Sequence, residues 1–160
     1  MISRRGALGL LGGLAGSALL PAATLGAPVS ARPPRLRPGD TVGLVAPASA
    51  VTLPEERDRA LHWIRGMGLV PRLGAHTEDR HGYLAGTDAD RAADLNAMFA
   101  DPEIRAIFAV RGGWGSARIL PLLDWPAIRA NPKLLIGYSD TTALHCAIAA
   151  RCGFPTLHAP

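Results

Sequence analysis

Residues 134–144, LLIGYSDTTAL, decide the fold of this chain. Three apolar residues typical of a buried strand lead through Gly-Tyr-Ser-Asp into a segment with helical spacing. A strand that passes directly into a helix is the basic step of an α/β protein. The turn between them places Ser139 at the start of a helix, where unpaired backbone N–H groups and the helix dipole favour negative charge.

Ser139 is the candidate catalytic nucleophile. Its hydroxyl would lie at a sharp turn, and the backbone N–H groups behind it could stabilise a developing oxyanion. The elbow pattern G-x-S-x-G of hydrolases is half present, since Gly137 fills the first glycine position and Thr141 stands at the second. The same residues are also typical of a simple helix cap, made by Ser139 or Asp140. The segment alone leaves both interpretations open.

Apolar runs alternate with helical patterns along the rest of the chain. Thr52 with Glu55 three positions later forms a capping-box pattern, and Thr87 is a second helix cap. Strands are predicted at residues 41–46, 69–73, 106–110 and 134–136, and helices at 52–67, 87–99, 117–123 and 141–151. This alternation predicts an α/β fold, with a doubly wound, mostly parallel sheet and helices on both of its faces.

Three loops that follow predicted strands should meet at one edge of this sheet. Ligands of such folds bind at the carboxyl ends of the strands, and the loops at that edge are residues 46–49, 111–116 and 137–140. This topology favours a functional interpretation of Ser139, because it brings the glycine-rich loop RGGWGS close to the serine turn.

The glycine loop at residues 111–115 has three interpretations. A dinucleotide or phosphate loop would need G-x-G-x-x-G spacing, but Arg118 occupies the third glycine position, and the Gly-Lys-Ser/Thr ending of a P-loop is missing. An oxyanion-hole loop would donate a backbone N–H toward the serine turn. A plain tight turn is the third possibility. The spacing argues against a nucleotide-binding domain and leaves the other two open.

Composition and charge exclude some functions. The chain of 160 residues is 48% hydrophobic and 19% charged, which is ordinary for one globular domain. Without residues 1–31, which include Arg4 and Arg5, it has 15 basic and 13 acidic side chains. This near balance, without a basic run interleaved with aromatics, argues against nucleic-acid binding. Cys146 and Cys152 are predicted to be buried thiols, and no cysteine or histidine spacing indicates a metal site.

Residues 1–31 have the pattern of a twin-arginine signal peptide. Arg4 and Arg5 precede an apolar run that reaches about Leu20, and small residues continue to Ala31. The run is short for a bilayer core of roughly 30 Å, although an uncleaved membrane anchor is the alternative. We expect a periplasmic or exported protein whose mature domain covers residues 32–160, with no membrane association after cleavage.

Several spaced motifs carry a resemblance to a known family. They are LRPGDTVGLVAPAS, YLAGTDADRAADLNAMFADPEIRAIFAVRGGWGSARILPLLD, NPKLLIGYSDTTALHCAI and TLHAP. In this order, over residues 36–160, the chain resembles the LD-carboxypeptidase family, which includes murein tetrapeptide carboxypeptidases and microcin-immunity peptidases. Trp114 stands where a tyrosine is usual in that family.

The resemblance implies a serine peptidase with a Ser-His-Glu triad. Ser139 maps onto the nucleophile, and the oxyanion hole is similar to one built from the N–H of Asp140 and an N–H of the glycine loop, at Gly113 with Gly112 beside it. Such enzymes cut the amide between an L-centre and a terminal D-residue, and release D-alanine from peptidoglycan stem tetrapeptides. The implied partners are a small peptide substrate and a second copy in a homodimer, with no metal and no cofactor.

The rest of the implied triad lies outside this chain. In the family, its glutamate and histidine come from a C-terminal domain beyond the motif found here at residues 157–160. We therefore expect an N-terminal domain of a two-domain peptidase that shows no useful peptidase activity by itself. The alternative is a non-catalytic exported module that binds peptidoglycan stem peptides through the same glycine loop.

The histidines of the chain are poor substitutes for the missing base. His145 follows Ser139 by six positions, more than half a turn out of phase on a helix, and is predicted to point elsewhere. His158 is predicted to reach the edge of the site in a structural role. The remaining histidines are predicted to be surface residues, at positions His62, His76 and His81.

Overall fold

The computed structural model describes residues 32–160, which form a five-stranded parallel sheet in the order β2-β1-β3-β4-β5. The strands are β1 (Thr41–Val45), β2 (Val70–Leu73), β3 (Ile104–Ala109), β4 (Leu134–Gly137) and β5 (Leu157–His158). In this order the chain reverses direction across the sheet between β1 and β3. The carboxyl edge at that reversal is where doubly wound folds bind their ligands.

Helices cover both faces of the sheet. The α-helices are α1 (Pro54–Gly66), α2 (Asp88–Ala100), α3 (Trp125–Ala130) and α4 (Thr142–Cys152), and 3₁₀ helices span Ser116–Leu122 and Ser139–Thr141. Helix α1 packs on one face with Ile64 against Val42 and Leu44. On the other face, α2 and α4 pack against the sheet in a larger apolar cluster. The prediction of a doubly wound parallel α/β fold is confirmed.

Gly43 on β1 leaves room for a side chain of α2. A Cβ atom at Gly43 would lie 2.5 Å from Met98 Sδ, so the Met98 side chain would have to shift to admit it. The Met98 side chain therefore packs directly over the strand at this position.

Most element boundaries lie within two residues of the predictions, but β5 and α3 were not predicted, and the helix predicted at residues 117–123 is a 3₁₀ helix. Helix α1 begins at Pro54 instead of Thr52, and the Thr52 backbone N–H donates to Glu56 Oε2 at 3.1 Å, so the predicted pairing with Glu55 is wrong. Proline favours the first turn of a helix, since it has no N–H to leave unpaired there. Helix α3 was not predicted, although its Asp124 cap accepts from the Ala127 N–H at 3.0 Å. The predicted Thr87 cap is confirmed, with Asp90 completing its capping box.

Two predictions on exposure have different outcomes. Cys152 is a buried thiol as predicted, and burial raises its pKa. Cys146 is exposed, because it lies on the outer face of α4, so the prediction of a buried thiol there is wrong.

The predicted signal peptide at residues 1–31 lies outside the described residues. In the part of the chain that is described, no helix combines the length and the apolar character needed to cross a bilayer.

Lys133, the only lysine in the chain, ties β4 to the end of α2. It is 6% exposed, and its Nζ donates to the carbonyl oxygens of Met98, at 2.7 Å, and Asp101. A cation suits the carbonyl end of a helix, but burial disfavours its charge. Burial lowers the pKa of Lys133 from the usual 10.5 to about 8.

Lys133 should give the protein a stability that rises with pH. Between about pH 8 and 10.5 the unfolded chain keeps a proton that folded Lys133 has lost, so the free energy of unfolding increases with pH in this window. The slope should approach, at most, about 1.4 kcal/mol per pH unit. Urea unfolding of wild type and Lys133→Met over that range measures it. If the difference in the free energy of unfolding between the two proteins did not change with pH, the lowered pKa of Lys133 would be contradicted.

Candidate active site

The loops after β1, β3 and β4 meet at the carboxyl edge of the sheet. Ser49, after β1, donates its hydroxyl to Gly112 O at 2.6 Å and its backbone N–H to the same oxygen at 3.3 Å. After β3, Ser116 donates its N–H to Asp140 Oδ2 at 2.8 Å and its hydroxyl to Asp140 O at 2.6 Å. These four bonds hold the glycine loop between the other two loops.

Ser139 lies on the turn with a left-handed backbone. Its φ is +59°, the one positive φ of a non-glycine residue among residues 32–160, and the residue is exposed. Left-handed backbone costs an L-residue about 1–2 kcal/mol. Such strain is retained mainly at functional sites, where the surrounding structure fixes it.

The helix-cap interpretation of the serine turn fails. Thr141 is the residue at the cap of α4 and makes no side-chain cap bond. The Asp140 carboxylate accepts from Ser116 in the glycine loop instead. Asp140 therefore joins two loops, and neither it nor Ser139 serves as the cap of α4.

The predicted site glycines pack directly against this turn. A Cβ atom at Gly112 would lie 2.9 Å from Tyr138 O, 3.0 Å from Ser139 Cβ and 3.4 Å from Asp140 N. The Gly113 backbone has a φ of +107°, and a Cβ atom there would lie 2.2 Å from Ser49 Oγ. Only residues without side chains fit at these two positions. The structure thus brings together all four predicted site residues.

The backbone N–H groups at the turn differ in whether they already have a hydrogen-bond partner within the protein. The Ser139 N–H donates to His158 Nε2 at 3.2 Å. Asp140 lies in the first turn of a 3₁₀ helix, where an N–H has no intrahelical partner. The Asp140 amide is therefore the one on this turn suited to receive negative charge from a ligand, with the glycine loop beside it.

Arg91 on α2 forms hydrogen bonds to the glycine loop and to the loop after β1. Its position in the sequence did not predict this role. It is 1% exposed, and its Nη1 donates to Pro47 O at 2.8 Å and to Gly115 O at 3.0 Å. Its Nη2 pairs with Asp88. Burial lowers the pKa of Arg91, while hydrogen bonds from Arg118 lower the pKa of Asp88. A buried cation thus fixes the loops that follow β1 and β3.

Aromatic side chains border the site on the solvent side. Tyr83 is 59% exposed, with its hydroxyl oxygen 2.9 Å from the position of a Cβ on Gly113. Trp114 is 56% exposed, and the Arg118 guanidinium lies 5.6 Å from the centre of its ring. These rings present apolar surface beside the serine turn.

A cavity of about 380 Å³ adjoins the turn on the α1 side of the sheet. Arg111 forms part of its wall and is fixed to α1 by a 3.0 Å ion pair with Glu56. Further lining residues come from α1, β3 and the serine turn, including Trp63, Phe108 and Tyr138. The serine turn therefore has room for a ligand on this side.

The histidines lie partly where the sequence predicts. His158 reaches the site edge as predicted. His145 was predicted to point away from the Ser139 hydroxyl, and its ring nitrogens instead contact Thr156 Oγ1, at 2.9 Å, and Gly137 O, at 3.0 Å. His62 and His81 are exposed, and His76 is half-buried.

One group of metal-ligand residues lies apart from this site. His76, Asp79 and Asp90 offer ligand atoms within 4.8 Å of one another. All three already have protein partners: His76 Nδ1 lies 2.7 Å from Asp79 Oδ2, and Asp90 Oδ2 accepts from the Thr87 cap. The hydrogen bond to Asp79 raises the pKa of His76. An ion pair and a helix cap account for this cluster.

The fold and the turn together define a class of protein. An α/β sheet that carries an exposed serine on a strained strand-to-helix turn, with a glycine loop against it, has the arrangement of a serine-type hydrolase. Residues 42–159 match the LD-carboxypeptidase N-terminal domain family. The chain belongs to this family of serine-type carboxypeptidases.

Individual relatives agree with this assignment. A Streptomyces coelicolor protein named as a carboxypeptidase is 53% identical to this chain over 134 residues. The match covers 81% of this chain and 43% of that protein. The murein tetrapeptide carboxypeptidase of Pseudomonas aeruginosa is 41% identical over 120 residues, 74% of this chain and 38% of that protein. The chain thus spans about two fifths of the length of the curated relatives it matches.

Solved structures show the same fold. The MccF-like protein of Bacillus anthracis superposes with a TM-score of 0.74 at 32% identity, over 78% of this chain and 38% of that one. The microcin C7 self-immunity protein MccF in complex with aspartyl sulfamoyl adenosine superposes with a TM-score of 0.71 at 38% identity, over 74% of this chain and 36% of that one.

Proposed function

We propose that residues 32–160 are the nucleophile-bearing domain of a serine LD-carboxypeptidase, and that the whole protein releases a terminal D-residue, D-alanine, from peptidoglycan stem tetrapeptides. The observation that carries this proposal is the left-handed, exposed Ser139 with Gly112 packed against it. A murein tetrapeptide carboxypeptidase among the relatives supports the substrate class.

In this mechanism, Ser139 Oγ attacks the carbonyl carbon of the amide before the terminal D-residue. The hydroxyl proton passes to a general base, and the carbonyl oxygen becomes an oxyanion that accepts from the Asp140 N–H and from Gly113 of the glycine loop. Collapse of this intermediate breaks the C–N bond, and the D-amino acid leaves with a proton on its nitrogen. Water then hydrolyses the acyl-enzyme and restores the Ser139 hydroxyl.

The base and its partner glutamate are proposed to lie in the rest of the protein, since the relatives are more than twice as long as the matched region. Without them Ser139 would be a weak nucleophile, so the 160-residue chain alone should show no useful turnover. Export through residues 1–31 would place the activity in the periplasm. Homodimer formation is part of the same proposal.

The test is D-alanine release from an L,D-tetrapeptide by the whole gene product, together with calorimetric measurement of peptide binding. Release of the terminal D-residue alone supports the proposal. Binding without turnover would favour the alternative, a non-catalytic module for stem peptides. Equal hydrolysis of an all-L tetrapeptide would contradict selectivity for the D-residue.

A further inference from the structure

Two histidines from different elements hold the strained turn at Ser139. Gly137 O accepts hydrogen bonds from His145 Nε2 and from Ala159 N, each 3.0 Å long. On the other side of the turn, the Ser139 N–H donates to His158 Nε2 at 3.2 Å. The two imidazole rings meet edge to face, with centroids 5.9 Å apart. Polar atoms on both sides of the turn are therefore bound to imidazoles.

These contacts fix which ring nitrogens carry protons. A carbonyl oxygen only accepts and an amide N–H only donates. His145 Nε2 must therefore carry a proton, and its Nδ1 lies 2.9 Å from Thr156 Oγ1. His158 Nε2 must lack a proton, so that ring is neutral with its proton on Nδ1. His145 donates to the turn, and His158 accepts from it.

Strand β5 places His158 in this position. It is only two residues long and runs parallel to β4, with Gly137 opposite His158. This register brings the imidazole beside the turn that follows Gly137. Ser139 gains a partner for its N–H there, at the residue whose left-handed φ is otherwise unfavourable.

We propose that His158 is a positioning residue for the nucleophile. Its neutral Nε2 accepts the Ser139 N–H and so holds the backbone conformation that presents the Ser139 hydroxyl. The same bond occupies the Ser139 amide and leaves the Asp140 amide as the donor of this turn for the oxyanion. The catalytic purpose of this bond rests on the proposed function, whereas the bond itself does not.

The bond is tested first on the ¹⁵N-labelled 160-residue chain, by the amide proton shift and hydrogen exchange of Ser139. His158→Phe keeps a ring but removes the acceptor. It should move the Ser139 amide proton upfield and speed its exchange about tenfold, as expected for one lost hydrogen bond. His158→Gln retains an acceptor oxygen and should restore most of the wild-type signal. His62→Phe, a ring exchange on the exposed face of α1, is the matched control.

Activity of the whole gene product then tests the positioning role. His158→Phe should lower kcat about tenfold with KM unchanged, and His158→Gln should recover most of that loss. An unmoved Ser139 amide in His158→Phe would overturn the proposal, and so would equal loss of kcat in the Phe and Gln variants. A shifted amide, with no turnover even in wild type, would support the bond and contradict the proposed function instead.

Discussion

Ser139→Ala is expected to lower kcat of the whole protein for an L,D-tetrapeptide by at least about 10⁴-fold. The substitution removes the oxygen that would form the acyl-enzyme and leaves the backbone amides of the turn in place. Binding of the peptide should therefore change little. The measurements are steady-state D-alanine release and calorimetric binding of the same peptide to the two proteins.

Ser139→Gly is the matched variant, because glycine adopts the left-handed backbone of this turn without strain. It should be as inactive as Ser139→Ala but more stable than that variant by about 1 kcal/mol in urea unfolding. Substantial turnover by either variant would exclude Ser139 as the nucleophile. Equal stability of the two variants would contradict the strained backbone.

The fold could be predicted because its signals are local. Each buried strand is a short apolar run, and Thr87 marks the start of α2 with its own side chain. The missed helix α3 also carries a local signal, since Asp124 caps it and a proline occupies its first turn. Thr52 misled the prediction because Pro54, two positions later, is the better first residue of α1.

Parts of the site could be predicted for the same reason. The serine turn and the glycine loop each follow a strand, so the parallel topology alone brings them to one edge. The contacts that hold these loops in place could not be predicted in this way, because they join residues that are far apart in the sequence. Arg91 bonds to Gly115, 24 positions away, and His158 to Ser139, 19 positions away. A single sequence gives no pattern for such pairs, because they depend on how the elements pack.

The glycine loop provides the second large effect. Gly113→Ala should lower kcat for the L,D-tetrapeptide about 100-fold, because a displacement of about 1 Å at a catalytic group can cost that much. The added methyl would lie 2.2 Å from Ser49 Oγ and 2.7 Å from Ser49 Cβ. Ser49 is buried and bonded to Gly112 O, so the loop must move instead of the serine side chain. That movement would displace the amide proposed to bind the oxyanion.

Gly39→Ala separates this effect from backbone strain. Gly39 also has a positive φ, +90°, but a Cβ there would have no heavy atom within 4 Å. Left-handed alanine should cost each variant about 1 kcal/mol of stability, and Gly113→Ala should lose more because its methyl overlaps Ser49. Only Gly113→Ala should lose activity, since only its methyl contacts the loop that follows β1. If the two variants kept equal activity, the glycine loop would have no part in stabilising the oxyanion, and Asp140 would have to do so from the serine turn alone.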